Sequence, residues 1–469
     1  MKNREFGKEA PQNFDSERAT IAKGQGASEN QNSGAKPTQQ KSDSSGCFGI
    51  IDCLKRRGFI DALTSEEIHL LVKKPTKIYV GFDPTADSLH LGNLMGIVAL
   101  GWFQRFGHTP FVILGGATGR IGDPSGKSVE RPLLDSATIA HNVSRIRTHF
   151  EQILDFSDPA TRPVILNNEE WFSSLSLIDF LRDVGKHFRV GTMLAKEMVR
   201  SRIESEEGIS YTEFSYQILQ AYDFYYLCRD YDVMVEMGGS DQWGNITSGI
   251  ELTRKLLAKQ TFGLTFPLLT RSDGKKFGKT EEGAIWLSPE RCSPYQFYQY
   301  LFRMPDADVI KLMRLLTYME MEEIEGYERM MKAPDYTPNT AQRRLAEELT
   351  RLVHGEEGLQ AALKVTEGAK PGSEAKLDPE VLKEIANDMP NLSLKTEDVV
   401  GIKYVDLTVK TGFLSSKGEA VRLIENGGAY LNNEKIQDPQ LKISPEHLIG
   451  GRYLLLGSGK KKKLLLSIT

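Results

Sequence analysis

Cysteine is scarce in this 469-residue sequence: Cys47, Cys53, Cys228 and Cys292 are scattered, with no Cys-x-x-Cys pair. That usage excludes a disulfide framework and a zinc site built on paired cysteines, and it fits a reducing compartment. Long apolar runs are missing too; none approaches the ~18 residues of a membrane span, so no membrane partner is expected. Nor does charge of one sign dominate. Lys and Arg number 59 against 63 Asp and Glu, a net of −4, which is no global footprint of a nucleic-acid binder. What is there is 40% hydrophobic and 26% charged, the balance of a globular chain, at a length that predicts about three domains. The charge is uneven, however. Residues 401–469 hold 11 basic and 6 acidic side chains, so a tail of +5 follows a body of −9. A basic tail on an acidic body predicts a local anionic partner.

Residues 1–46 are rich in Ser, Gln, Asn, Gly and Lys and nearly devoid of apolar residues after Phe14, a composition that predicts disorder. From about Phe48, apolar runs of four to six residues (Lys77–Phe82, Phe111–Leu114, Pro163–Leu166, Val233–Met237) alternate with helical patterns. Such alternation predicts βαβ units and a parallel sheet. Past Trp286 the pattern is helical, over Pro294–Met319 and over Thr340–His354, the second closed by Gly355. Thr366–Lys376 reads as a linker, and a short helical pair and a hairpin (Ala429–Ile436) follow Gly401. The expected organisation is a disordered extension over 1–46, an α/β domain with a Rossmann-like parallel sheet over 47–290 and a helical domain over 291–375. A linker over 376–402 and a small α+β domain over 403–469 complete it.

Two segments carry chemistry. In the first, strand Tyr79-Val-Gly-Phe82 ends, the chain turns through Asp83-Pro-Thr85, and His90-Leu-Gly-Asn93 opens a helix. A helix N-terminus offers unpaired N–H groups to an anion. Gly92 lets a nucleotide approach the backbone, and the imidazole of His90 can donate to a phosphate as charge develops. In the second, Gly274-Lys-Lys-Phe-Gly-Lys-Thr280 places three lysines within five positions, a cluster that suits a polyphosphate. Gly122-Asp-Pro-Ser-Gly-Lys127 is no Walker A loop, because position 121 is Ile. Tyr216, Gln220 and Asp223 are spaced i, i+4, i+7, so one helix face presents a phenol, an amide and a carboxylate. The apolar flanks Phe214, Ile218, Leu219, Tyr222 and Phe224 imply that this helix is buried and that its polar groups need a bound amphipathic partner. A free amino acid with a phenolic side chain supplies one.

The pairing of His90-Leu-Gly-Asn93 with Lys276-Phe-Gly-Lys-Thr280 resembles the paired signature of class I aminoacyl-tRNA synthetases. Gly115-Gly-Ala-Thr-Gly119, Gly122–Lys127, Tyr216–Asp223 and Gly238-Gly-Ser-Asp-Gln-Trp-Gly-Asn245 extend the likeness to the bacterial-type tyrosyl-tRNA synthetases, in the family's order across residues 48–290. The resemblance implies a tyrosine–tRNA ligase that makes tyrosyl-adenylate from L-tyrosine and ATP and passes the tyrosine to tRNA(Tyr). It implies that Tyr79 and Asp223 read the substrate hydroxyl and that Asp123, Tyr216 and Gln220 hold the ammonium. Gly81, Asp83 and Thr85 would line the nucleotide side, with His90 and Asn93 against triphosphate and ribose. Asn93 stands where the family more often has histidine and keeps a neutral donor. Gly239, Asp241 and Gln242 would contact ribose and the amino-acid carboxylate. Lys276, Lys279 and Thr280 would close over pyrophosphate, helped by Lys127 and Arg131.

Mg²⁺ would accompany ATP, with no metal held by the protein itself. The tail resembles an S4-type RNA-binding module, which implies that Lys417, Arg422, Lys435 and the lysines from Lys460 and Lys461 to Lys463 meet tRNA phosphates. A homodimer is implied, in an organelle of a eukaryote or a bacterial cytoplasm. Two rivals are set against this reading. The tryptophan-specific relatives have no use for Tyr79 with Asp223, and an inactive RNA-binding derivative has no use for an intact His90, Lys276 and Lys279.

Overall fold

The computed structural model describes residues 49–126, 130, 132–272, 274, 277–280, 283–368, 377, 379–386, 389–459 and 462–469, with the backbone alone for Met198, Lys279, Thr280, Glu380, Val381, Glu384 and Ile385. The extension expected over 1–46 lies outside the described residues, as do Lys127, Arg131, Lys276, Lys460 and Lys461.

The first elements are α1 (Ile50–Arg56), β1 (Ala62–Leu63), α2 (Ile68–Leu71), β2 (Lys77–Phe82), α3 (Leu94–Arg105) and β3 (Thr109–Leu114). After them come α4 (Ser136–Ile153), β4 (Val164–Asn167), the short helices α5 (Glu169–Phe172), α6 (Leu177–Asp183), α7 (Val190–Leu194) and α8 (Glu197–Ile203), then α9 (Tyr211–Tyr231), β5 (Val233–Gly239), α10 (Trp243–Leu257) and β6 (Phe262–Phe266). Among the described residues the strands form a six-stranded sheet ordered β1-β6-β5-β2-β3-β4, parallel except for β1. The runs KIYVGF and TPFVIL are buried along most of their length because helices cover both faces, as a parallel sheet requires. Chain order reverses between β2 and β5, and at such a switch point the loops beyond the strand ends part and leave a crevice.

Helix α9 begins where the Ser210 side chain accepts from Glu213 N, and it ends at Asp232 in the left-handed region (φ 58°). Its first turn is anchored by a buried ion pair. Arg202 of α8 reaches both carboxylate oxygens of Glu213, at 2.8 and 3.1 Å, with the two side chains 3% and 1% exposed.

A strand pair, β7 (Lys279–Thr280) and β8 (Gly283–Ala284), leads into α11 (Pro294–Phe302), α12 (Asp306–Leu316), α13 (Met321–Met330) and α14 (Thr340–Gly368). The single helix expected over 294–319 is two, broken at Arg303-Met304-Pro305, because proline cannot supply the amide a continuous helix needs there. Gly355 does interrupt α14, with φ 71°. These helices share one apolar core with the sheet, running from Ile50 through Met95 and Phe297 to Ala362. Arg57, 1% exposed, joins the layers: its guanidinium donates to the carbonyls of Arg314, Thr317 and Met319 at the end of α12 and lies 4.0 Å over Trp102.

The last elements are α15 (Pro379–Ala386), β9 (Asn391–Leu394), α16 (Tyr404–Lys410), α17 (Lys417–Glu425), β10 (Ala429–Leu431), β11 (Glu434–Lys435), β12 (Tyr453–Ser458) and β13 (Lys462–Ile468). The sheet is ordered β11-β10-β12-β13-β9. The stretch expected as linker, 376–402, therefore contains a helix and a strand, and β9 pairs with β13 in parallel. Its alternation Asn391-Leu-Ser-Leu394 is the strand pattern that marks it. Leu382, Leu455 and Leu465 pack with Tyr295 and Val365, so this sheet rests on α11 and α14.

Glu213→Ala strands a buried guanidinium and is expected to destabilise the protein by about 3–5 kcal/mol. Arg147→Ala, at an ion pair 52% and 48% exposed, is expected to cost under about 1 kcal/mol. Urea unfolding followed by tryptophan fluorescence compares the two.

Candidate active site

A cavity of about 440 Å³ lies at the switch point. It is lined by Tyr79, Gly81, Asp83, Thr85, His90, Asn93, Asp123, Tyr216, Gln220, Asp223, Gly239, Asp241 and Gln242. Residues expected from distant parts of the sequence thus meet in one place. Lys276 falls outside the described residues, and Lys279 and Thr280 are described by backbone only, in β7.

The two signature segments touch. Leu91 N donates to Ile285 O and Leu287 N to Leu89 O, each at 2.8 Å, so the strand-like stretch after β8 zips onto the residues before α3. Gly278, at φ 76°, abuts the same turn: a Cβ there would stand 3.2 Å from Leu91 Cβ and 3.5 Å from Gly92 N. Within the turn, Gly92 N donates to His90 Nδ1 at 3.1 Å and His90 N to Asn93 Oδ1 at 3.1 Å. A neutral ring that accepts at Nδ1 carries its proton on Nε2, as a phosphate-facing donor must.

Beyond the turn, the cavity wall is a pair of hydrogen-bonded chains. In the first, Asp83 accepts from Tyr216 Oη and from Thr118 Oγ1, both at 2.8 Å. Asn168 Nδ2 donates to Thr118 Oγ1 at 2.9 Å and to Asp223 Oδ2 at 3.1 Å, and Trp171 Nε1 donates to Asp223 Oδ1 at 2.8 Å. Asp83, expected on the nucleotide side, therefore also reaches the phenol of α9. In the second chain, Asp123 accepts from Ser125 Oγ and Gln242 Nε2, each at 2.7 Å. Asn245 Nδ2 lies 2.9 Å from Gln220 Oε1 and 3.2 Å from Gln242 Oε1, and Gln220 Nε2 donates to Glu236 Oε1 at 2.9 Å.

Asn168, Trp171, Glu236, Asn245 and Thr118 were not among the sequence-derived candidates. Glu236 had a usable signal, as the lone charge inside the apolar strand VMVEMGG. Asn168 and Trp171 had none, since the strand-to-helix turn after β4 lies some 50 residues from the groups it serves.

Electrostatically the cavity is acidic. Asp123, Asp223 and Glu236 are buried, Asp83 is half-buried, and no lysine or arginine is among the described residues that line the space. Burial pushes the Asp223 carboxyl well above its usual range, against the opposing pull of Asn168 and Trp171. Burial likewise pushes Glu236 up to about 7, against Gln220 and Tyr79. The phenols of Tyr79 and Tyr216 are raised by burial first and then by these carboxylates. Such a site accepts a compact cation beside a neutral hydroxyl.

In the C-terminal sheet domain the expected phosphate contacts are unevenly placed. Lys417 is exposed but pairs with Asp406 at 2.6 Å, and Lys435 and Arg422 lie on β11 and α17. Lys462 and Lys463 point differently from the expectation: Lys462 donates to Phe413 O at 2.5 Å and Lys463 to Asn433 Oδ1 at 3.5 Å. Lys462 nevertheless stays exposed while Lys463 is half-buried, their stems leaving β13 on opposite faces.

Compared with known families, residues 72–369 match the class I tRNA synthetases (W and Y), and residues 381–466 match the tyrosine–tRNA ligase SYY-like C-terminal domain. A tyrosine–tRNA ligase of Protochlamydia amoebophila is 58% identical over 419 residues, covering 89% of this chain and 99% of that one. A chloroplastic/mitochondrial tyrosine–tRNA ligase of Arabidopsis thaliana is 50% identical over 427 residues, covering 90% and 84%. The crystal structure of a C-terminally truncated mitochondrial tyrosyl-tRNA synthetase of Aspergillus nidulans superposes with a TM-score of 0.60 at 28% identity, over 69% of this chain and 95% of that one.

Trp171→Phe removes one of the two donors that restrain Asp223, so the Asp223 carboxyl should titrate still higher. Carboxyl-carbon NMR of the variant checks this, and an unmoved titration would contradict the bond from Trp171.

Proposed function

The chain belongs to the class I tRNA synthetases of the tryptophan and tyrosine group, on the tyrosine side, and from that premise we infer its reaction and the part each cavity residue takes. It is a tyrosine–tRNA ligase: it activates L-tyrosine with ATP to tyrosyl-adenylate and pyrophosphate, then transfers the tyrosine to the terminal adenosine of tRNA(Tyr). The observation that carries tyrosine rather than tryptophan is the buried phenol of Tyr79 close to the buried carboxyl of Asp223. An indole offers them no hydroxyl.

In this reading the substrate hydroxyl meets Tyr79 and Asp223. Its ammonium enters among Asp123, Tyr216 and Gln220, where fixed carboxylate charge stands in for lost water. Gln242 holds the tyrosine carboxylate toward ATP. Gly81, Asp83, Thr85, Gly239 and Asp241 line the nucleotide, and His90 with Asn93 faces its phosphates. The carboxylate attacks the α-phosphorus in line, and pyrophosphate leaves toward Lys276, Lys279 and Thr280. No protein nucleophile is needed, because held geometry and donors aimed at developing charge lower the barrier. The ATP is taken as its Mg²⁺ complex, an ion that usually keeps its waters and binds through substrate phosphates.

The basic C-terminal domain takes the tRNA backbone through Lys417, Arg422, Lys435, Lys460 and Lys461, contacts that position without reading sequence. We assign residues 49–290 to catalysis, 291–368 to the tRNA stem and 379–469 to the S4-like module. A homodimer is supported by apolar side chains left uncovered on α6 and α7, with Leu177 and Ile178 each 69% and Val190 61% exposed. An organelle matrix is supported by the Arabidopsis relative, and a bacterial cytoplasm by the Protochlamydia one.

Tyrosine-dependent ATP–pyrophosphate exchange tests this reading, and exchange driven by tryptophan instead would overturn it. Asp223→Ala should lower kcat/KM for tyrosine by about 2–4 kcal/mol through the unpaired phenol. The preference for tyrosine over phenylalanine should shrink with it, as measured in the same assay.

A further inference from the structure

Tyr79 and Glu236 are direct partners in the parallel pairing of β2 with β5. Paired residues on adjacent parallel strands project from the same face of the sheet, here the face covered by α9 and α10. Both side chains are 2% exposed. Glu236 Oε1 accepts from Gln220, whereas Glu236 Oε2 and Tyr79 Oη are both buried without a hydrogen bond of normal geometry. The Tyr79 phenol does act on the Glu236 carboxyl, but two buried polar atoms without a well-formed hydrogen bond are costly unless something completes the contact. The surroundings hold the carboxylate where it is. Gly249 of α10 leaves the room: a Cβ there would stand 3.2 Å from Glu236 Oε2 and 3.0 Å from Phe224 Cβ. Phe224 in turn packs edge-on against the Tyr79 ring at 5.3 Å.

We propose that Glu236 is a positioning residue that couples the two ends of the tyrosine pocket, orienting the Gln220 amide at the ammonium end and taking the Tyr79 proton at the hydroxyl end. A phenol has one proton. When Glu236 Oε2 accepts it, the Tyr79 oxygen turns a lone pair toward the pocket, and the substrate must then arrive as a donor. Tyrosine's hydroxyl does so, giving its one proton to Tyr79 while its oxygen accepts from the Asp223 carboxyl, which burial holds toward its protonated form; phenylalanine has nothing to offer. At the other end the same carboxylate adds negative charge one residue behind Gln220, favouring an ammonium. The proposal rests on the reading that tyrosine lies between Tyr79 with Asp223 and Gln220.

The charge is conditional. Burial holds the Glu236 carboxyl near 7, so it gains its charge as pH rises through neutrality. The titratable groups facing it are Tyr79 from β2 and Asp223 from α9. The other neighbours, Gln220 on α9, Gly249 on α10 and the paired Gly263 on β6, are neutral. KM for tyrosine should therefore fall from pH 6 to pH 8. The sign for folding is opposite. A carboxyl raised above its ordinary value binds its proton more tightly when folded, so it costs stability as pH rises from about 4.5 to about 7, and the cost is complete above that.

Glu236→Gln in the full-length chain, assayed by tyrosine-dependent ATP–pyrophosphate exchange, separates these effects. We expect KM for tyrosine to rise about tenfold at pH 8, with kcat and KM for ATP within about twofold. The pH dependence of the tyrosine KM should flatten, and the ligand-free Tm at pH 8 should equal or exceed that of the parent. Tyr79→Phe should remove part of the effect, so the double variant loses less than the product of the two single losses. An unchanged tyrosine KM would overturn the proposal, as would a lowered Tm with kcat and both KM values displaced together. A parent protein that fails to exchange with tyrosine would sink the underlying reading instead.

Discussion

The constraint on which this site depends is a concentration of carboxylates in a space that water scarcely reaches. Asp123, Asp223 and Glu236 are buried beside half-buried Asp83, and the described lining residues offer no lysine or arginine to neutralise them. Burial raises the proton affinity of Asp223 and Glu236, and at Asp223 the neighbouring carboxylates of Glu236 and Asp83 add to it. The fold tolerates this because neutral donors (Thr118, Asn168, Trp171, Gln242 and Gln220) share the lone pairs. On the proposed reading the remaining imbalance serves recognition, since an amino acid that brings an ammonium and a hydroxyl would relieve it.

The architecture delivers these groups economically. Asp83 follows β2, Gly115 follows β3, Asn168 follows β4 and Asp241 follows β5, all at the carboxyl ends of the parallel strands around the switch point. Gly115 shows how close the packing is: a Cβ there would lie 2.0 Å from Asp83 Oδ1 and 2.5 Å from Thr118 Oγ1. Helix α9 then lays Tyr216, Gln220 and Asp223 across the sheet, with its first turn fixed by the buried pair of Arg202 and Glu213. Opposite, the segment 285–287 clamps the turn that presents His90. The proposed substrate and nucleotide sites are thereby built from hydrogen-bonded and packed elements, which is why the proposal assigns the chemistry to alignment rather than to a reactive side chain.

Much of this was legible in the sequence because the relevant signals are local. The i, i+4, i+7 spacing placed Tyr216, Gln220 and Asp223 on one helical face, and the alternation of apolar runs with helices marked the parallel sheet. What could not be read is what arises only when distant segments meet. Asn168 and Trp171 reach Asp223 from the turn after β4, and Asp83 meets Tyr216 across 133 residues. The helical layer looked separate because periodicity does not reveal which core a helix joins; in the fold it shares the core of the sheet. Residues 376–402 looked like a linker beside a Gly- and Pro-containing stretch, yet Asn391–Leu394 completes the edge of the C-terminal sheet through β13.

The most direct test of the acidic pocket is calorimetric binding of tyrosine against its desamino analogue, 3-(4-hydroxyphenyl)propionate, to the unliganded protein at pH 8. The analogue keeps the phenol and the carboxylate and lacks only the cation. Loss of affinity by roughly a hundredfold or more, about 2.7 kcal/mol, is the predicted result. Affinity within a few-fold of tyrosine would contradict it, because the buried carboxylates would then have no part in holding the substrate.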